Sequence, residues 1–474
     1  MPRYKEIADE IFLQIERGEY LPNDKLPTIR ALAAKYEVNT ATIVSAYKCL
    51  EQKRAVYSVL GSGTYASAVS AARRGKTDSF LGDAPEDILD TTPEDVIEAM
   101  PKGVKGCINF ASTMPSGECF PKEAFGQAFD SVLVRDGSAA FAMADEKGYA
   151  PLREAFAEVL AHYKINATTS EIQVISGIRQ GLEFVLGGLI SPGDAVVLES
   201  PCPSWIQATV ASFGAKIYYV PLTPTGLDVE KLALLTKKYR PKLFFLMPVY
   251  QTPTGLCYTE SDKAKILEFA LRASAYIIEA DVCSDFFYKS RPTPLKAIAG
   301  GSSANKVIYM KSFDRILAPG LGGCIVADES VVMRPCEGQD FSSRGMVADI
   351  AGSSGFVQRG LDYYLRNGDF AAHCTKMREV FSKRCRQATA AAETFLSPYA
   401  DFVRPTGGLN LWVTPKAKRA DYSAEFLRRR VLVSPSNLYD VGTFADNSFG
   451  ISFASASTDD IFKGIGIIAE ILGT

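Results

Sequence analysis

Leu26-Pro-Thr-Ile-Arg-Ala-Leu-Ala33, followed closely by Val38-Asn-Thr-Ala-Thr-Ile43, decides how the amino-terminal segment folds. Thr28 follows Pro27 and can cap a helix whose inward face is Ile29, Leu32, Ala33 and Tyr36. Glu37-Val38 leaves room for only a short turn. Asn39 can then cap another helix, with Ile43, Ala46, Tyr47 and Leu50 as its apolar stripe. Two helices joined so tightly have helix-turn-helix geometry. Upstream, Ile7, Ile11 and Ile15 recur every four residues, which predicts a helix over 4–17 that ends at Gly18. Downstream, Val56-Tyr-Ser-Val-Leu-Gly-Ser-Gly-Thr-Tyr65 reads as two strands around a glycine-flanked tip, a wing.

The whole chain has 474 residues, 47% hydrophobic and 22% charged, the balance of an ordinary globular protein. That balance excludes a long disordered tail, a collagen-like repeat and a disulfide miniprotein. Apolar runs such as Leu243-Phe-Phe-Leu-Met247 fall far short of the ~20 residues that span a bilayer. With no signal-peptide core at the start, the expectation is a soluble, cytoplasmic chain without a membrane partner. Ten cysteines contain no Cys-x-x-Cys pair, so reduced thiols are expected and no metal site. His162 and His373 are the only imidazoles, which argues against histidine-based hydrolysis. Charge is uneven. Residues 1–76 carry 12 basic against 8 acidic side chains, a net +4, and the total of −2 leaves −6 for the remainder. Residues 77–106 hold 8 acidic side chains and 2 lysines, the composition of a linker with Pro-Glu-Asp repeats.

From about Ile108 apolar strands alternate with amphipathic helices. Ile172–Ile175, Ala195–Leu198, Lys216–Val220, Leu243–Leu246, Tyr276–Ile278, Val307–Tyr309 and Cys324–Val326 read as buried strands, with helices such as Asp262–Ala273 between several of them. This predicts an α/β domain with a mostly parallel, doubly wound sheet and its ligand site at the carboxyl ends of the strands.

Leu26–Ala33, Val38–Ile43, Ala46-Tyr47 and Gly61-Ser-Gly-Thr64 together resemble the GntR-type winged helix-turn-helix. The resemblance implies a partner, double-stranded operator DNA. Thr40, Thr42, Ser45 and Lys48 would face the major groove, with Asn39 at the start of that helix. Arg30 and Lys48 would reach phosphates, and Gly61, Ser62 and Gly63 would let the wing approach the backbone. Thr40 stands where the family usually has arginine. A winged helix used only for protein contacts is the alternative.

Gly148-Tyr-Ala-Pro-Leu-Arg153, Ser176-Gly-Ile-Arg-Gln180, Ser191-Pro-Gly-Asp194, Gln251-Thr-Pro-Thr-Gly255, Leu317-Ala-Pro-Gly-Leu321 and Gly407-Gly408 follow the motif order of fold-type-I aminotransferases. With the head, the chain resembles the MocR subfamily of GntR regulators. The expected layout is a head at 1–68, a linker at 69–106 and an aminotransferase-like domain at 107–474. That domain divides into a large subdomain at about 145–330 and a smaller carboxyl-terminal α/β subdomain at about 375–474.

The resemblance implies pyridoxal phosphate as cofactor, bound through a lysine, an aspartate on the ring nitrogen, a helix terminus at the phosphate and an arginine for the substrate carboxylate. In ungapped register, Arg315 takes the place of that lysine, and a guanidinium forms no Schiff base. Asp314 replaces a phosphate-holding serine, Ala280 falls on the ring aspartate with Asp281 adjacent, and Val282 falls on a tyrosine. Pro201-Cys-Pro203 replaces Pro-Thr-Tyr, Gly450 replaces the carboxylate arginine, and Gly322 an arginine after Pro-Gly-Leu. The expected pocket is Gly177, Ile178, Arg179, Trp205, Thr252, Asp281, Ser312, Asp314 and Arg315, without catalytic residues. Arg315 would either pair with Asp314 or Asp281 in a vestigial cleft or serve a repurposed ligand pocket. The expected protein is a homodimeric transcriptional regulator whose non-catalytic aminotransferase-like domain dimerises and senses a small-molecule effector; a working aminotransferase or pyridoxal-phosphate-sensing regulator with a DNA-binding head, and a purely structural pseudoenzyme, are the alternatives.

Overall fold

The computed structural model of the chain describes residues 3–17, 19–20, 24–52, 55–59, 62–66, 106–142, 144–224, 226–332, 354–417, 422–439 and 447–474. The chain divides into two compact units, Met1–Asp83 and Ala84–Thr474. Gly61 and all of the expected linker except Gly106 lie outside the described residues.

In the first unit, α1 (Arg3–Arg17), α2 (Ile29–Lys35) and α3 (Thr40–Gln52) precede a hairpin of β1 (Val56–Val59) and β2 (Gly63–Ala66). Ile7, Ile11 and Ile15 share one core with Leu32, Ala33, Ile43, Ala46, Tyr47 and Leu50. Both expected caps form. Thr28 Oγ1 accepts from the Ala31 amide at 3.2 Å, and Asn39 Oδ1 accepts from the Thr42 amide and hydroxyl at 2.8 Å each. Glu37 adopts φ 52°, which turns the chain abruptly between α2 and α3. Ile29 departs from the expected inward face and is 36% exposed. Helical side chains lean toward the amino terminus, so this first residue of α2 projects past the helix end. β1 and β2 pair antiparallel from Val56↔Ala66 to Val59↔Gly63, forming the wing.

The second unit opens with β3 (Ile108–Asn109). Its main sheet contains β4 (Ile172–Ile175), β5 (Ala195–Ser200), β6 (Lys216–Thr223), β7 (Gly226–Leu227), β8 (Leu243–Leu246), β9 (Tyr276–Asp281), β10 (Val307–Ser312) and β11 (Gly323–Val326). The spatial order is β4-β11-β10-β9-β8-β5-β6-β7. β10, β9, β8, β5 and β6 run parallel, while β11 is antiparallel to both its neighbours and β7 to β6. The helices that matter below are α4 (Ala150–Ala161), α5 (Ile178–Leu189), α6 (Glu260–Ala273) and α7 (Asp369–Ala391). A second, antiparallel sheet has β12 (Ala400–Phe402), β13 (Asn410–Pro415), β15 (Ser434–Pro435) and β16 (Phe449–Ser452) in the order β12-β13-β16-β15. β14 (Val431–Leu432) pairs with β3, so the start of this unit is sewn to its carboxyl-terminal part.

Strand alternation sorts the core. Ile278, Ala280, Ile308 and Met310 pack with Ile178 and Leu182 of α5. Tyr309 faces the other layer, with Phe156 of α4 and Phe381 of α7. Among the described residues no helix is long and apolar enough to cross a membrane, nine cysteines are free, and no His/Cys/Asp/Glu group could hold a metal.

Two carboxyl groups are buried in this sheet without a cation on them. Glu199 accepts from the Met247 amide at 3.0 Å, Gln251 Nε2 at 2.9 Å and the Tyr258 hydroxyl. Glu279 accepts from the Leu295 and Lys296 amides at 2.7 Å each. Burial pushes both from the ordinary 4.5 up to about 7. The folded state therefore holds their protons more tightly than the unfolded chain. Their contribution is complete below the unfolded value and is lost as pH rises through the folded one. Denaturant titrations should show this unit losing up to ~3 kcal/mol per group between about pH 4.5 and 7. Glu199→Gln should remove its share of that slope whatever its effect on absolute stability.

Candidate functional site

The hairpin between β10 and β11 carries the signature residues. Phe313 N donates to Gly322 O at 3.1 Å, and Leu317 N to Phe313 O at 2.8 Å, so one helical turn sits on a closed hairpin. A Cβ on Gly322, at φ 104°, would lie 2.6 Å from the Ile175 carbonyl oxygen, and one on Gly323 would lie 2.0 Å from that of Lys311. The position expected to have lost an arginine at 322 has no room for a side chain.

Arg315 projects from this turn, half-buried. Its Nη1 donates to Thr252 Oγ1 at 3.3 Å and to Cys283 Sγ at 2.9 Å. Burial pushes the Cys283 thiol up, against the pull of this guanidinium. Among the described residues no carboxylate forms an ion pair with Arg315, so the expected pairing with Asp314 or Asp281 does not occur. Both carboxylates are engaged elsewhere.

Asp314 Oδ1 accepts from the Gly320 amide at 3.1 Å, and Oδ2 lies 3.1 Å from where a Gly177 side chain would begin. Gly177 precedes α5 and gives it no side-chain cap. The carboxylate thus faces the positive end of that helix. Burial pushes its pKa up. Ser312 is spent on the turn, its Oγ accepting from the Asp314 amide at 3.2 Å.

Asp281 lies at the end of β9 and is saturated. Oδ1 accepts from the Ser284 amide at 2.9 Å, and Oδ2 accepts from the Ser284 hydroxyl at 2.5 Å and from the Tyr309 hydroxyl. Lys311, opposite it on β10, sets Nζ 3.3 Å from Asp281 Oδ1 and 2.7 Å from Asp285 Oδ2, and donates to Ser284 Oγ at 3.1 Å. Tyr163 donates its hydroxyl to Asp285, and Arg291 lies 3.7 Å from Asp285 and 3.9 Å from the Tyr163 ring centroid. Two cations therefore balance two carboxylates. Burial works against the Lys311 ammonium, but Asp281 and Asp285 hold its pKa well above the ordinary lysine range. Burial opposes the Asp285 charge in turn, and Lys311 and Arg291 outweigh it and lower its pKa.

Ala280, expected on the ring-aspartate position, packs in the apolar layer with Ile278 and Met310, whereas the adjacent Asp281 presents its carboxylate to the polar side. Val282 is half-buried against both apolar layers. Ile178 is likewise a core side chain, 7% exposed, and offers the cleft only backbone. Arg179 stands outside with its guanidinium 5.2 Å from the Trp205 ring centroid.

The facing wall was not legible in the sequence. On β13, Leu411 and Val413 enter the core, leaving Asn410 and Trp412 on the other face. Trp412 meets Tyr439 edge-on at 6.0 Å, and Tyr439 is within electrostatic reach of Arg315. Asn410 Oδ1 is buried without a hydrogen-bond partner. A Cβ on Gly255 would lie 3.0 Å from the Asn410 backbone oxygen, so the loop gripped by Arg315 at Thr252 rests on this strand.

In the first unit, Arg30, Asn39, Thr40, Ser45 and Lys48 are exposed and Thr42 is half-buried, with Ser62 and Gly63 exposed on the wing. Thr42 donates its hydroxyl to Asn39, and Ser45 donates to the Ala41 carbonyl at 3.0 Å. Among the described residues neither Arg30 nor Lys48 is in an ion pair.

Residues 3–66 match the gntR family of bacterial regulatory proteins, and residues 105–468 match aminotransferase class I and II. The chain belongs to the aminotransferase class I and II family and carries a gntR-family head. A gntR-family head followed by an aminotransferase domain is consistent with the MocR subfamily. The chain is 27% identical to the uncharacterized HTH-type transcriptional regulator YdfD of Bacillus subtilis, over 98% of this chain and 95% of that one. It is 22% identical to the probable rhizopine catabolism regulatory protein MocR of Rhizobium meliloti, covering 87% and 81%. Aromatic-amino-acid aminotransferase 1 of Thermococcus litoralis is 26% identical over 77% of this chain and 88% of its own. In fold, the α-aminoadipate aminotransferase LysN of Thermus thermophilus superposes with a TM-score of 0.71 at 24% identity, covering 80% of this chain and 94% of that one.

That LysN structure holds a phosphopyridoxyl-leucine. The residues of this chain do not fit such a group. Arg315 offers no amine, Asp314 faces the helix terminus where a phosphate would sit, and Asp281 already accepts from Ser284 and Tyr309 beside the Lys311 ammonium. Lys311 lies between two carboxylates, fully buried. Removing one member of a buried ion cluster leaves the others uncompensated. Lys311→Met should therefore destabilise the second unit by about 3–5 kcal/mol, measured by denaturant unfolding.

Proposed function

We propose that this DNA-binding transcriptional regulator uses its aminotransferase-like unit as a sensor for a small-molecule effector and performs no pyridoxal chemistry there. The observation that carries the reading is Arg315: a permanently protonated fork in the turn where a Schiff-base amine is required. The saturated Asp281 and the position of Asp314 support it.

In the head, Thr40, Thr42, Ser45 and Lys48 line the face of α3 that would enter a major groove, while Arg30 and the wing approach phosphates. A homodimer would present two heads to two half-sites of an operator. An effector that prefers one arrangement of the dimer would move the heads only as far as its differential affinity allows. Such a protein works in the cytoplasm.

The family match over residues 105–468 favours a second reading, a working aminotransferase with a DNA-binding head. Incubation with pyridoxal phosphate separates the two. The sensor reading expects no long-wavelength absorption band and no borohydride-stabilised adduct; either result would establish the second reading. For the head, gel shifts on the promoter flanking the gene should show binding at low salt. Lys48→Ala should weaken it uniformly across sequences and reduce the salt slope by about 1. No shift at low salt would refute the assignment of these residues to DNA.

A further inference from the structure

We propose that the cleft beside Arg315 binds a small, non-phosphorylated carboxylate that also carries a hydrogen-bond donor. This names the chemistry of the effector and rests on the reading of the second unit as a sensor.

A guanidinium has five N–H donors and cannot discharge itself. Among the described residues, Arg315 reaches only a hydroxyl, Thr252 Oγ1, and a thiol, Cys283 Sγ. A half-buried cation with neutral partners is under-compensated, and an anion relieves it. Asp314 lies within electrostatic reach of the guanidinium, but among the described residues neither it nor Asp281 forms an ion pair with Arg315. Asp281 is held by Ser284, Tyr309 and Lys311. Asp314 is turned toward Gly177 and the Gly320 amide. Planar, bidentate geometry matches a carboxylate to the unused side of the fork.

Asp314 then selects against phosphate. A phosphorylated ligand would direct its dianion to the start of α5, where helix amides attract anions. The Asp314 carboxylate already faces that point, with Oδ2 3.1 Å from the Gly177 Cβ position. A phosphate there would meet a like charge in a partly desolvated place.

Asn410 supplies the second contact. It is 5% exposed, and its Oδ1 has no hydrogen-bond partner. A buried acceptor left unmade is costly, so it calls for a donor. Arg315 grips one loop at Thr252, and the backbone oxygen of Asn410 lies 3.0 Å from the Gly255 Cβ position of the same loop. A ligand lying along that loop offers its carboxylate to the first and a hydroxyl to the second. Trp412, on the Asn410 face of β13, reports on it.

Lactate and propionate differ by one hydroxyl and make the probe pair, with inorganic phosphate as the third probe. In the full-length chain, lactate should shift tryptophan fluorescence and raise the melting temperature. Propionate should do so more weakly, and phosphate not at all. Arg315→Gln should weaken lactate binding about ten- to hundredfold. Asn410→Leu should bring lactate down to the propionate level, and Asp314→Asn should create a phosphate response while keeping that to lactate. Wild-type binding of phosphate as tight as lactate, an Arg315→Gln chain that binds normally, or silence toward lactate would each overturn the proposal. Should Arg315→Gln fail to fold, the Asn410 and Asp314 variants decide it. A gel shift run beside these titrations keeps the two readings apart: lactate binding that leaves DNA affinity unchanged refutes sensing but not the site, and DNA binding without lactate binding refutes the site alone.

Discussion

The second unit is organised around a fully buried ammonium group. Lys311 lies between Asp281 and Asp285, on a strand whose preceding side chains, Val307 to Met310, are apolar or aromatic. Such a charge is tolerable only when every partner is in place. The register of β9 against β10 supplies Asp281, the turn after β9 supplies Ser284 and Asp285, and α4 leads into Tyr163, which closes over the same carboxylate. Strand pairing, loop path and helix docking are thereby tied to one electrostatic balance. The balance involves only the chain's own side chains, and this is why the neighbouring hairpin can carry Arg315 without disturbing the sheet.

The two halves of the molecule treat charge differently. In the head, Arg30 and Lys48 stand in solvent on helices whose interior faces are aliphatic, leaving them available to a polyanion. In the second unit Lys311 and Arg291 are turned inward against Asp281 and Asp285, whereas Arg315 meets only Thr252 and Cys283 among the described hydrogen-bond partners. A protein with this division has one surface suited to a long, repetitive anion and one recess suited to a small one.

Most of the architecture was legible in the sequence because it rests on periodicity. The stripe Ile7, Ile11, Ile15, the caps at Thr28 and Asn39, and the seven expected strands all follow from local pattern and form, although in Lys216–Val220 only Val220 is buried. What was not legible depends on direction. Ile29 fits the helical period yet escapes burial because it begins its helix. Ala280 and Asp281 are adjacent in sequence but point to opposite faces of the sheet, and a register counted along the chain cannot distinguish them. Lys311 carries no signal of its role in the linear sequence. Its spacing to Asp281 crosses two parallel strands, a separation that no local pattern reports. Asn410 and Trp412 belong to the site for the same reason, through a sheet that folds back from far along the chain.

The positions of Lys311, Asp314 and Arg315 have an evolutionary corollary. Restoring an amine at position 315 alone would set it beside an occupied helix terminus and an aspartate already neutralised from behind. Each further reversion is unfavourable until the others have happened, since freeing Asp281 means dismantling a buried ion cluster. The trio is interdependent, so a change at any one of these positions is constrained by what the other two already hold.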